Sequence, residues 1–260
     1  METDFFYQRG WLKFNFDPRI ALWAEAALSL GMRVVADQQK RTEHLDCEGT
    51  WFVGVNALPS NHKGQIGAIP LQGPVINWLS HIQTRDLHPA QLSVIFEGYP
   101  KPRKGETEKA FMYRLNRDAA HLDGLLPIGI ARRRMLKEPH AYILGLPLNK
   151  TPSNASPLVI WEGSHVVMAD YFQRAFKGIP THKWDKLDLT DTYNAARRKV
   201  FKICPRVKLH AYPGEAYVVH RLSLHGVARW ASTATAPKEG RMIAYFRPEL
   251  EDPSLWPDLN

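Results

Sequence analysis

The sequence predicts a mainly β fold with flanking helices, in which short strands close into a barrel or pack as a sandwich, as in a jelly roll. Three observations support this fold class. The chain has 260 residues, of which 44% are hydrophobic, enough for a core that needs no disulfide or metal. Its 17 glycines and 19 prolines favour turns between short strands over long helices. From residue 111 onward, short apolar segments recur between turn residues.

Apolar segments bounded by turn residues predict strands at 51–55, 92–96, 111–115, 140–146, 157–161, 207–210, 216–220 and 242–246. Capping and helix-forming residues predict helices at 17–31, 74–81, 165–176 and 190–203. The first of these begins at Asp17-Pro18 and is expected to stop at Gly31. A polar segment at 98–110 is interpreted as a surface loop. The chain is therefore predicted to be a single domain, residues 1–260, in which a mixed part (1–110) packs on a jelly roll (111–247).

The net charge of +8 comes from 34 Lys and Arg against 26 Asp and Glu. The basic residues cluster at 132–137 and at 197–208, and the second cluster predicts either a solvated helix face or an anion-binding surface. No apolar run approaches the length of about 18 residues that a transmembrane helix needs. The first residues are acidic, unlike a secretory signal, and Cys47 and Cys204 are too few for a disulfide framework. We therefore expect a cytoplasmic protein with no membrane segment.

The tripeptide His121-Leu122-Asp123 is a candidate for part of a metal site. In an extended strand, residues two apart point to the same face, so the imidazole and the carboxylate would converge. Such a tripeptide is weak evidence alone, because a His–Asp hydrogen bond explains it equally well. A metal site needs a third ligand from elsewhere in the chain.

The segment 213–226 supplies two candidates for that ligand, His220 and His225, at the end of an apolar strand. Their five-residue spacing places them on opposite strand faces, so only one of them can meet His121. Two histidines and one carboxylate form the facial set that leaves three positions open on Fe(II), as an oxygenase requires. Arg241 opens a later strand, where its planar guanidinium suits a carboxylate-bearing cosubstrate.

The order of these motifs, with Gly163-Ser164-His165 between them, resembles the phytanoyl-CoA dioxygenase-like family of the Fe(II)/2-oxoglutarate oxygenase superfamily. The resemblance covers residues 111–247, and the Gly-Ser-His segment is its most family-specific mark. It implies a double-stranded β-helix, a cupin-like jelly roll. It also implies Fe(II) bound by His121, Asp123 and His225, and it favours His225 over His220 because a glycine follows His225.

The resemblance further implies that Arg241 binds the distal carboxylate of 2-oxoglutarate. The expected activity is that of a dioxygenase that uses dioxygen to hydroxylate a small organic molecule, with release of succinate and CO2. Because Asp123 is present, where related halogenases carry a small residue, hydroxylation is favoured over halogenation. The long separation between Asp123 and His225 implies an insertion, for which the basic helix 190–203 is the candidate.

Three further residues are candidates for substrate contacts. Arg114 and Tyr113 precede the metal motif, and Arg114, with the basic excess, suggests an anionic substrate. Ser164 is expected either to cap a helix or to face the substrate. Arg247 is interpreted as a surface residue, since it precedes Pro248 at a strand end and lies too far from Arg241 to share a carboxylate.

Two other functions remain open. The six-residue spacing of Arg241 and Arg247 is similar to that in oxygenases that dealkylate nucleic-acid bases, although a nucleic-acid partner is not expected. A non-catalytic jelly roll that binds a metal or ligand is the second alternative.

Overall fold

The computed structural model describes residues 2–82 and 84–259. In these residues the helices are α1 (Glu2–Arg9), α2 (Pro18–Ala36), α3 (Gln38–His44), α4 (Pro74–Leu79), α5 (Glu108–Leu115), α6 (Ser164–Phe176) and α7 (Thr190–Ile203). The strands are β1 (Trp11–Phe14), β2 (Leu45–Asp46), β3 (Trp51–Leu58), β4 (Ala90–Ile95), β5 (Leu125–Ile128), β6 (Arg133–Leu136), β7 (Tyr142–Pro147), β8 (Leu158–Trp161), β9 (Arg206–Leu209), β10 (Ala216–His220), β11 (His225–Val227) and β12 (Arg241–Phe246). Short 3-10 helices lie at Thr181–Lys186 and Pro253–Leu255.

Two antiparallel sheets form the body of the molecule. The larger sheet has the strand order β1-β10-β7-β12-β4-β3-β2, and the smaller has the order β11-β8-β9. A separate β5–β6 hairpin follows the His-x-Asp segment. Side chains from both sheets meet in one buried cluster, which includes Ile143, Val219 and Ile243 from the larger sheet and Leu158 and Ile160 from the smaller. This arrangement confirms the predicted mainly β jelly-roll fold with flanking helices.

Strand β12 shows how the larger sheet divides the interior. Ile243 and Tyr245 face the smaller sheet, whereas the alternate residues face the helices, as expected for the two-residue period of a strand. On the helix side, Phe246 packs against Trp23 of α2, with ring centroids 5.8 Å apart. The space between the sheets is therefore available for a site, while the other face of the larger sheet belongs to a helix-covered core.

Most predicted helices and strands lie where the sequence placed them, and two predictions are wrong. Helix α2 continues through Gly31 to Ala36, and Gly31 is buried in it facing Leu92 of β4, where a Cβ would lie 3.3 Å from the Leu92 side chain. Residues 111–115 are helical and belong to α5, where the Thr107 side chain caps the first turn by accepting from the Ala110 N–H.

Two features of the structure concern membrane segments and cysteines. In the part of the chain that the structure describes, no helix combines the length and apolar character needed to cross a bilayer. Cys47 and Cys204 are both free thiols.

Candidate metal centre

His121, Asp123 and His225 converge at one end of the space between the sheets. One nitrogen or oxygen from each of them lies within 4.8 Å of the others. The Nε2 atom of His121 lies 3.3 Å from Asp123 Oδ1, and the Nε2 atom of His225 lies 3.8 Å from Asp123 Oδ2. A β-bridge holds the two histidines side by side, since each backbone N–H donates to the carbonyl of the other at 2.8 and 3.1 Å.

The backbone fixes the protonation of both imidazoles. The Nδ1 atom of His121 lies 3.0 Å from the carbonyl of Ala119, and the Nδ1 atom of His225 lies 2.9 Å from the carbonyl of Ser223. Because a carbonyl only accepts, each Nδ1 carries a proton and donates it, which leaves Nε2 as the ring nitrogen that faces Asp123. Burial and the neighbouring His121 lower the pKa of His225 to about 4. His225 is therefore a neutral imidazole at neutral pH, the form that ligates metals.

Asp123 is held as a carboxylate by Arg247. Burial by itself would raise the pKa of Asp123, but the Arg247 guanidinium, whose Nη1 atom lies 3.3 Å from Oδ2, holds that pKa well below its usual value. Arg247 is fixed in turn by a hydrogen bond from Nη2 to the Gln91 side-chain carbonyl at 2.5 Å. The interpretation of Arg247 as a surface residue is therefore wrong, because its side chain is only 16% exposed and forms part of the site.

A cavity of about 260 Å³ opens beside the three converging residues. Its polar lining includes Gln91, Ser93, Glu138 and Arg247, and its apolar lining includes Trp51, Val53, Val55, Leu126, Ile143, Leu158, Val219 and Val227. Apolar walls with a few convergent polar groups are typical of small-molecule sites. The indole Nε1 of Trp51 donates to Ser93 Oγ at 3.0 Å, which holds that aromatic wall in place.

Arg241 lies deeper in the same interior. It is 4% exposed, it contacts the Tyr217 hydroxyl by a hydrogen bond, and its Nη1 atom is buried with no partner in the described residues. The Tyr217 hydroxyl donates to the Tyr245 hydroxyl at 2.9 Å, and Tyr245 lines the cavity. Burial raises the pKa of Tyr217 well above its usual value, so Tyr217 stays a protonated donor near the cation. Buried guanidinium nitrogens normally have a hydrogen-bond acceptor, so the unpartnered Nη1 of Arg241 is a donor available to an anion.

Ser164 supports His225 without facing the cavity. Its fully buried Oγ accepts the backbone N–H of Leu224, the residue before His225, at 2.8 Å. The N-cap of α6 is Gly163, so neither of the roles expected for Ser164, substrate contact or cap, describes its position. The residue after His225 must be glycine, because a Cβ at position 226 would lie 2.1 Å from the carbonyl oxygen of Asp118.

The basic helix α7 braces the segment that carries His121 and Asp123. Arg197 donates to the carbonyl of Ala120 at 2.9 Å, and the Tyr193 hydroxyl bonds to the backbone of Leu122. Just beyond the helix, Arg206 forms a bidentate ion pair with Asp118 at 2.6 and 2.8 Å. The insertion expected between the metal ligands thus packs behind them, and part of its positive charge is used in these contacts.

His220 does not join the site, but the single strand assumed in the spacing argument is wrong: His220 ends β10 of the larger sheet, and His225 begins β11 of the smaller sheet. Its Nδ1 atom accepts the Leu222 N–H at 3.1 Å, and its Nε2 atom lies 3.3 Å from the carbonyl of Leu259. Burial lowers the pKa of His220 well below its usual value. It is a core histidine, remote from the cavity face.

The structure does not bring Arg114 or Tyr113 to the cavity, which corrects the expectation for both. Arg114 forms a bidentate ion pair with Glu106 at 2.9 and 2.7 Å and donates to the Lys101 carbonyl. Tyr113 is 47% exposed, and its ring stacks under the Arg117 guanidinium at 4.1 Å. Both residues lie away from the predicted position because residues 111–115 form part of helix α5 and not the predicted strand.

The sequence analysis missed Gln91 and Glu138 as parts of the site. Gln91 lies on β4 two residues before Ser93, so strand alternation could have placed it on the inner face. Glu138 lies in an irregular connection after β6, where no periodic signal exists. For Arg247 the available signal was its even spacing from Arg241 along β12.

Comparison with solved structures identifies proteins of the same fold. One is a non-heme alpha ketoglutarate dependent carbocyclase, SnoK from nogalamycin biosynthesis, with a TM-score of 0.57 and 12% identity over 96% of this chain and 83% of that chain. Another is the non-heme alpha ketoglutarate dependent epimerase SnoN, with a TM-score of 0.52 and 13% identity over 96% and 81%. SnoN in complex with Fe3+, alpha ketoglutarate and nogalamycin RO has a TM-score of 0.50 and 12% identity over 96% and 82%.

No protein-family model and no curated protein matches the sequence. At identities this low, the structural likeness establishes the fold alone. The chain therefore has the jelly-roll fold of these enzymes.

Proposed function

We propose that this protein is an Fe(II)- and 2-oxoglutarate-dependent dioxygenase that hydroxylates a small organic substrate and releases succinate and CO2. The observation that carries the proposal is the convergence of His121, Asp123 and His225 beside a cavity lined by Tyr245, with Arg241 buried on the same face of β12 as Tyr245. The fold neighbours support the proposal, since their names describe the same cosubstrate.

The three converging residues fit Fe(II). Two imidazoles turn their Nε2 atoms toward an ionised carboxylate, which together make the donor set of the facial triad. Such a set occupies one side of the metal and leaves the other side free. Fe(II) and 2-oxoglutarate, when bound, supply the oxidation of a substrate C–H bond by dioxygen, coupled to decarboxylation of 2-oxoglutarate to succinate.

Arg241 fits the distal carboxylate of 2-oxoglutarate. Its unpartnered Nη1 atom is buried between the sheets, and a carboxylate would satisfy it through a charge-assisted hydrogen bond. Tyr217 and Tyr245 offer hydroxyl donors between Arg241 and the cavity. Arg241 therefore binds and orients the cosubstrate, while the apolar walls exclude water and hold the substrate beside the metal.

Asp123 determines the proposed outcome. A halogenating site needs the coordination position that this carboxylate takes, and Arg247 keeps the carboxylate charged and oriented. We therefore propose hydroxylation and not halogenation. Mass spectrometry of the product formed under labelled dioxygen checks this: one labelled oxygen is expected, and a chlorinated product would exclude it.

The proposal is tested by measuring succinate formed from 2-oxoglutarate with Fe(II), together with Co(II) binding by absorption spectroscopy. The wild-type protein should form succinate only with Fe(II). The His225→Ala variant should lose both succinate formation and Co(II) binding. Arg241→Met should lose saturable 2-oxoglutarate use and keep Co(II) binding. Arg174→Met, which changes a surface arginine of α6, is the matched control. A protein that binds Co(II) but forms no succinate with any substrate would be a binding module.

Two other expectations become part of this proposal. We propose that residues 1–260 act as one catalytic domain, because β1 and β12 from opposite parts of the chain lie in the same sheet. A cytoplasmic location is proposed on the strength of the two free cysteines.

A further inference from the structure

We propose that Glu138 selects the substrate of this site by accepting a hydrogen bond from an ammonium or hydroxyl group on an otherwise apolar molecule. The inference rests on the proposed function and names its substrate class. It also replaces the anionic substrate suggested by Arg114, since Arg114 pairs with Glu106 away from the cavity and Glu138 adds a carboxylate to the cavity wall.

Glu138 is fixed beside the metal ligands by its own backbone. The carbonyl of Gly124, the residue after Asp123, accepts the N–H groups of Lys137 and Glu138 at 2.9 and 3.3 Å. Gly124 has a φ of +82°, and a Cβ there would lie 2.1 Å from the Glu138 carbonyl oxygen. This close approach requires glycine, and it places Glu138 next to the Asp123 segment in the lining of the cavity.

The hydrogen-bond partner of Glu138 is His140. His140 Nε2 lies 3.2 Å from Glu138 Oε2, and His140 Nδ1 is buried with no partner among the described residues. This hydrogen bond lowers the pKa of Glu138, which remains a carboxylate.

The other charged groups of the lining already have partners. Arg247 pairs with Asp123 through Nη1 and bonds to Gln91 through Nη2, and its buried Nε is the one guanidinium nitrogen without a partner in the described residues. The Glu138 side chain is 41% exposed. Around it the wall includes Val53, Val55 and Leu126. An apolar body with one donor group fits this surface, whereas a carboxylate placed against Glu138 would meet like charge.

The test uses three ligands with the same phenylalkyl body: phenethylamine, 2-phenylethanol and 3-phenylpropionate. Their dissociation constants are measured by calorimetry under anaerobic conditions on the protein loaded with Fe(II) and 2-oxoglutarate. The amine and the alcohol should each bind at least about tenfold more tightly than the carboxylate, a difference of about 1.4 kcal/mol. The difference between the amine and the alcohol reports whether charge or the hydrogen bond dominates.

Three variants complete the test. Glu138→Gln should weaken amine binding by about tenfold, and Glu138→Lys should reverse the preference in favour of 3-phenylpropionate. Glu239→Gln, an exposed glutamate of a loop, should match the wild-type protein. Equal binding of the three ligands, no binding of any, a preference for the carboxylate, or no effect of the Glu138 variants would overturn the inference.

The visible charge-transfer absorbance of 2-oxoglutarate chelated to Fe(II) separates this inference from the proposed function. If the wild-type protein lacks that absorbance, the proposed function fails. If the absorbance is present and the ligand preferences are independent of Glu138, only the substrate inference fails.

Discussion

Replacing Ser164 by alanine should destabilise the protein and weaken metal binding, although Ser164 touches neither the cavity nor a ligand. Its Oγ accepts the N–H of Leu224, and both residues are fully buried. Alanine fills nearly the same volume, so the change removes one acceptor and leaves a buried N–H without a partner. The cost of such a group is about 1–3 kcal/mol.

Urea denaturation of the metal-free protein measures this cost as a lower midpoint at an unchanged slope. Because Leu224 precedes His225, a Co(II) titration should show weaker binding in the same variant. Ser156→Ala is the matched control, since Ser156 is also fully buried but its Oγ has no hydrogen-bond partner in the described residues. A loss below about 0.5 kcal/mol in Ser164→Ala, or an equal loss in Ser156→Ala, would refute the reasoning.

Three further outcomes are expected. Gly226→Ala should abolish divalent-metal binding, because the new Cβ would lie 2.1 Å from the Asp118 carbonyl oxygen; Co(II) titration checks this, and unchanged affinity would contradict it. Arg197→Met should weaken Co(II) binding by about 10-fold or more, since it removes the donor to Ala120, whereas Arg198→Met on the exposed side should not. The free energy of unfolding should fall as pH falls below about 6.5, because the unfolded chain takes up a proton at His220 that the folded protein, with its lowered pKa, refuses. The slope should be at most about 1.4 kcal/mol per pH unit for each such histidine, and urea denaturation of the metal-free protein between about pH 7 and pH 5 measures it; a flat profile would contradict the assignment.

The parts of the site predictable from the sequence are those set by local geometry. His121 and Asp123 were placed together by their two-residue spacing, and the structure brings them together, although only His121 forms a β-bridge and Asp123 lies in the turn that follows. Helix α2 was found from its Asp17-Pro18 cap, which the structure shows as the N-cap and the first helical residue. Such features depend on a few neighbouring residues and need no knowledge of the rest of the fold.

The parts that the sequence did not predict depend on register and on irregular segments. Arg247 enters the site from just after the end of β12, where its side chain bonds to Gln91 of β4, the residue that pairs with Tyr245. These contacts join residues far apart in the chain. Glu138 reaches the cavity through an irregular connection held on Gly124. The wrong position predicted for Arg114 has a local cause. The apolar run 111–115 predicts a strand, whereas Thr107 upstream is the N-cap of a helix.

His121 and His225 share one feature, a hydrogen bond from Nδ1 to the backbone carbonyl two residues earlier in the chain. In many metal sites a carboxylate side chain performs this service, and its replacement costs metal affinity. Here the acceptors are backbone carbonyls, which no side-chain substitution can delete. The orientation of each imidazole therefore depends on the local backbone conformation and not on the identity of a neighbouring side chain. This makes the pair tolerant of evolutionary drift around it, and makes the two short segments candidates for grafting into other jelly rolls as a unit.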